Sequence, residues 1–112
     1  MRKKVESMTF QADGEQNVKL LFASVMLGML ELIEKGKIST TDAAMAFCLP
    51  IMRRTGEDTE MHRICSMAEE LDTYPPTRRA EEMERIRALC YEMVADESRA
   101  DRKSIYNGDG VL

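Results

Sequence analysis

Between Glu15 and Lys35 the chain is apolar on almost every side of a helix. Val18, Leu20, Leu21, Phe22, Val25, Met26, Leu27, Met29, Leu30, Leu32 and Ile33 leave no broad polar face. A helix of this kind is enclosed by its own chain or hides part of its surface in a partner. Gly36 follows as a left-handed cap. Gly28, inside, costs roughly 1 kcal/mol relative to Ala and predicts a close helix crossing there. The expectation is an all-α fold, a compact bundle of about four helices with helix 1 central.

The remaining helices are punctuated by their caps and breakers. Ser39-Thr40-Thr41-Asp42 opens a small-sided helix through Ala43, Ala44, Ala46, Phe47 and Cys48, with a capping hydroxyl and an early acid. Pro50 should end or bend it, leaving Ile51 to Gly56 as a basic turn. Asp58 is the expected cap of a third helix over 59–72. There Met61, Ile64, Cys65, Ala68 and Leu71 form one stripe. Pro75-Pro76 breaks the chain before a fourth helix over 77–96. It carries Met83, Ile86, Cys90, Met93 and Val94 on one face, with Arg78/Glu82 and Glu81/Arg85 pairs opposite. No alternating strand pattern stands out.

With 112 residues, one domain is expected: an N-terminal arm over 1–14 anchored by Phe10, a helical bundle over 15–97, and a mobile C-terminal tail over 98–112. Ten methionines and six aromatic residues make a flexible core. Met26, Met29, Met45, Met61, Met83 and Met93 fall on core stripes, and Met67 falls off them. No uninterrupted apolar run reaches the ~18 residues of a membrane span. The basic start has no apolar core behind it, so no signal peptide or membrane contact is expected and the cytosol is the expected address.

Catalytic sets are hard to assemble from these residues. The one histidine, His62, has no nucleophile and orienting acid at useful spacing. Glu69-Glu70 and Glu81-Glu82 sit about 100° apart on a helix and do not converge. The glycines form no phosphate loop. His62 and Cys65 could share a face with two distant cysteines as a metal site. Yet Cys48, Cys65 and Cys90 each sit among apolar residues, and reduced core thiols are the expectation. No catalytic residue, metal or cofactor is therefore expected, and the chain reads as a non-enzyme.

Charge is the informative feature. The net charge is −4, which disfavours a general nucleic-acid binder. Residues 57–72 hold Glu57, Asp58, Glu60, Glu69, Glu70 and Asp72 against Arg63 alone. A helix-turn-helix reading, with Arg53-Arg54 on a phosphate, fails because so acidic a recognition helix would be repelled. The same acids suit docking of a basic protein partner, with Met67 as an adaptable apolar contact. The alternative is a self-assembling homodimer that shares helix 1.

The stretch Leu27-Gly28-Met29-Leu30-Glu31-Leu32-Ile33-Glu34-Lys35-Gly36-Lys37-Ile38-Ser39, with Asp42-Ala43 beyond it, resembles small uncharacterised bacterial helical proteins. In size, acidity and class the chain also resembles immunity proteins of bacterial toxin systems, including contact-dependent growth inhibition. That resemblance implies a cytoplasmic protein that neutralises a basic, nuclease-like toxin domain by direct binding.

Overall fold

A computed structural model describes residues 4–95, which form four helices and no strand. Helix α1 is Glu15–Glu34. Helix α2 runs continuously over 40–54 in three pieces: Thr40–Ala43, a π turn at Ala44–Cys48, and Leu49–Arg54. Helix α3 is Glu60–Glu69 and is followed by a 3-10 turn, Leu71–Thr73. Helix α4 is Pro76–Met93. The arm over 4–14 has no regular structure, and the expected tail over 98–112 lies outside the described residues.

Backbone chemistry explains these boundaries. Gly36 takes φ 71°. Its N–H bonds the Ile33 carbonyl at 3.0 Å while that of Lys37 bonds Leu32 at 2.8 Å, a paired closure that only a residue tolerant of positive φ permits at low cost. Ser39 caps α2, its Oγ accepting the Asp42 N–H at 2.9 Å. The cap of α3 is Thr59, one residue later than expected. Its hydroxyl accepts from the His62 N–H at 3.2 Å and donates to the Gly56 carbonyl at 2.8 Å, so Asp58 stays outside the helix. Pro76 is the first residue of α4, a position where its missing N–H costs nothing.

Pro50 neither ends nor breaks α2. The preceding turn widens instead, with the Leu49 N–H reaching back five residues to the Ala44 carbonyl. A proline crowds the carbonyl one turn earlier, and a widened turn relieves that crowding. The expected basic turn is thus the last part of a helix. The same widening sets Ala44 and Cys48 inward and leaves Met45, expected in the core, 62% exposed.

The core joins all four helices. It contains Phe22, Ala23, Met26 and Leu30 of α1, Cys48 of α2, and Ile64, Cys65 and Ala68 of α3. Leu71 and then Met83, Ile86, Cys90 and Met93 of α4 complete it. Phe22 and Phe47 stack with centroids 5.5 Å apart and link α1 to α2. Helix α1 is covered along one side rather than enclosed. Ser24, Gly28 and Leu32 face outward, and a Cβ placed on Gly28 would meet nothing within 4 Å. The close crossing expected at Gly28 does not occur among the described residues.

Two polar groups are buried with compensation. Asn17 donates to the Asp13 carbonyl at 3.0 Å and ties the arm to α1. Glu82 is held between Arg78 at 3.7 Å and Arg85 at 3.0 Å. Arg85 thus takes Glu82 rather than the expected Glu81, because a carboxylate taken out of water needs its counter-charges more than an exposed one does. Arg87 bonds Glu84 and crosses to Glu34, pinning the end of α1 to α4.

Replacing Ile86, which is fully buried, with Ala should lower stability by about 2–5 kcal/mol. Met45→Ala should change it by less than about 0.5 kcal/mol. Urea titrations followed by circular dichroism check both, and a large loss at Met45 would contradict the phase of the π turn.

Candidate functional site

The acids of segment 57–72 do not form one patch. Helix α3 carries them to its two ends, about 15 Å apart. Glu57 and Asp58 are exposed in the turn before α3, and Glu60 lies 3.7 Å from Lys19, which also meets Glu15 at 3.6 Å. Glu69, Glu70 and Asp72 are exposed at the other end. Met67 belongs to neither group as a free contact. It is half-buried and packed on the core, since three residues beyond Ile64 it stands only about 60° from the buried stripe.

At the C-terminal end of α3 the acids are held in place. The Thr41 hydroxyl, from the first turn of α2, donates to Asp72 at 3.2 Å. Tyr74 donates to Glu70 at 3.0 Å, and that bond to the carboxylate raises the phenol above its ordinary pKa. The Arg78 guanidinium lies 4.7 Å over the Tyr74 ring. Arg79 donates to the Leu71 and Tyr74 carbonyls at 3.0 and 3.3 Å, fixing the turn between α3 and α4. Exposed Asp42 follows Thr41 and adds a further acid on the α2 side. The result is an acidic knot of Asp42, Glu69, Glu70 and Asp72 around a half-buried tyrosine. Asp42 escapes a reading of the sequence by charge runs, because 31 residues separate its neighbour Thr41 from Asp72. Tyr74 carries no charge to be counted, although Glu70 lies only four residues before it.

The opposite end of the α2–α3 pair is apolar. A groove of about 450 Å³ opens there between α1, α2 and the start of α3, lined by Val18, Leu21, Val25, Phe47, Ile51 and Met61 and bordered by Phe10 of the arm. Its polar lining is Arg54 and Thr55. The Thr55 hydroxyl donates to the Ile51 carbonyl at 2.8 Å and lies 3.4 Å from His62 Nδ1. A shallower depression of about 360 Å³ adjoins it through Val18 and Met61, with Glu15, Asp58 and Glu60 on its walls.

The groove runs along the uncovered side of α1. Between Gln16 and Ile33 the only charged residues of α1 are Lys19 and Glu31. By length and composition α1 is the one described helix that could cross a membrane, although its uninterrupted apolar runs are short. Only part of that character is used in the core, where Phe22, Met26 and Leu30 are buried.

The three cysteines are free and fully buried. Cys65 donates a hydrogen bond to Cys48, which with burial holds its own proton well above the usual thiol range. Burial pushes the Cys90 thiol up to about 11. Among the described residues no group of three or more His, Cys, Asp or Glu side chains is placed to hold a metal ion.

Because Cys90 titrates higher in the folded chain than its ordinary value of 9.0, its contribution to stability is fully present below about pH 9. It is lost as the pH rises towards 11. Urea midpoints measured across that window should fall more steeply for the native chain than for Cys90→Ala. Equal slopes would place the thiol in contact with water. Compared with family models, with curated proteins and with solved structures, the chain matches none.

Proposed function

We propose that this chain is a non-catalytic protein-binding module that docks a basic partner, in the manner of an immunity protein neutralising a nuclease-like toxin domain in the cytosol. The observation that supports this reading is the acidic knot. Glu70 and Asp72 are held by Tyr74 and Thr41, and Arg79 fixes the turn that carries them. Carboxylates already ordered before binding lose less side-chain freedom when a Lys or Arg arrives. A half-buried tyrosine beside them is the type of anchor that dominates interface energetics. An acidic surface also draws a basic partner in at long range, which raises the association rate more than the final affinity.

On this reading the C-terminal acids, Glu69, Glu70 and Asp72 with Asp42, carry the contact. Glu57, Asp58 and Glu60 contribute only to the general field, since Glu60 already faces Lys19. Met67 supports the helix from beneath.

Immobilised protein and a host lysate test this at about 0.05 M and about 0.5 M salt, where screening differs strongly. The native chain and a Glu57→Lys/Asp58→Lys/Glu60→Lys variant should both retain one basic protein in stoichiometric amount at low salt. A Glu69→Lys/Glu70→Lys/Asp72→Lys variant, confirmed helical by circular dichroism, should bind it roughly tenfold more weakly. Retention unaffected by the second set, or a captured partner that is acidic and insensitive to salt, would overturn the assignment. Tyr74→Ala should weaken the same complex without removing its salt dependence.

A further inference from the structure

The side of α1 that the core leaves open, bordered near Leu21 and Val25 by Phe10 of the arm, has an internal order of its own. Val18, Leu21, Val25, Gly28 and Leu32 follow one another at spacings of three, four, three and four. That is the seam of a helix that pairs with another helix. None of the five is buried, and Leu32 is 43% exposed. At Gly28 an added Cβ would meet nothing within 4 Å, so the missing side chain answers to no neighbour among the described residues.

The geometry points to a second copy of this chain as the occupant, with the two α1 helices antiparallel and crossing at Val25. In that register Val18 faces Leu32 of the other copy and Leu21 faces Gly28, each pair formed twice by the two-fold axis. Large meets small at Leu21 and Gly28, which a parallel pairing would not give. Leu32 of each copy enters the groove between Val18, Ile51 and Met61 of the other. The ends also complement: Glu15 of one copy, which meets Lys19 of its own chain, comes beside exposed Lys37 of its mate.

Area supports the same occupant. The α1 ridge alone is ~30 Å long and ~10 Å wide, about 300 Å², too little for a stable pair. The groove wall of Phe47, Ile51 and Met61 roughly doubles that footprint to ~600 Å², approaching the ~800 Å² each partner buries in a stable interface. This surface lies at the other end of the α2–α3 pair from the acidic knot, so it stands or falls independently of the proposed function.

Sedimentation equilibrium of the whole chain over about 1–500 µM, a range that brackets micromolar dimers, should move from the mass of 12.8 kDa to twice that value. Val25→Glu and Leu32→Lys, both at positions outside the core, should remain monomeric with unchanged helix content. Orientation is read by single introduced cysteines, the native three being fully buried. With oxidised glutathione, Val25→Cys should give a cross-linked dimer and Leu32→Cys should not, whereas a mixture of Leu32→Cys and Val18→Cys should cross-link to each other. A native chain that stays monomeric throughout, a dimer indifferent to both seam substitutions, or cross-linking of Leu32→Cys to itself would overturn the proposal. So would monomeric protein that floats with phosphatidylcholine vesicles through the same α1 residues.

Discussion

Small side chains where α3 meets α2 on one side and α4 on the other set the spacing of everything else. Cys48, Cys65 and Cys90 come one from each helix and are all fully buried, with Ala44 and Ala68 beside them. Free cysteine behaves as a small apolar residue, and three of them let the helix axes approach closely. Enlarging any one would spread the three helices, because a close-packed interior relaxes only slightly. Leu30, Met26 and Phe22 of α1 then rest on the layer so formed. The core is therefore α3 packed between α2 and α4, with α1 resting chiefly on α4, which is why α1 keeps a free side.

Much of this fold was legible because it depends on local chemistry. Gly36 and Ser39 act through their own and neighbouring backbone groups, so the turn between α1 and α2 is written in a few adjacent residues. The single stripe from Met61 to Leu71 likewise gives α3 its buried face. What escaped are decisions settled between competing local options. Thr59 and Asp58 are both good caps, and the hydroxyl that reaches His62 N–H and Gly56 together prevailed. Pro50 carried two outcomes, a stop or a distortion, and packing of Ala44, Cys48 and Phe47 selected the distortion.

The candidate site was legible in composition and illegible in arrangement. A charge count along 57–72 identifies the acids, but it treats a helix as a point. Ten residues of helix separate them into two groups with different neighbours. Tyr74 gains its place from Glu70, one turn away in sequence, and that signal was available. Thr41 gains its place from Asp72 across 31 residues, and no spacing rule could supply it. The groove is of the same kind, since Val25, Ile51 and Met61 become neighbours only when three helices are assembled.

The π turn at Ala44–Cys48 has an effect on how α2 tolerates change in length. In a regular helix one extra residue would rotate all that follows by about 100° about the helix axis, and the widened turn absorbs it instead. Ile51 and Arg54 owe their place on the groove to that widening, while Ser39 and Thr41 before it answer to the opposite end of the molecule. The two surfaces of α2 are thus phased independently, with the π turn as the joint between them. A single-residue deletion within the turn would return it to a regular helix and leave both the acidic knot and the groove wall in register. An insertion elsewhere in α2 would turn one away from the other. In this helix the count of backbone units, more than the identity of any one side chain, determines which surfaces the molecule can present together.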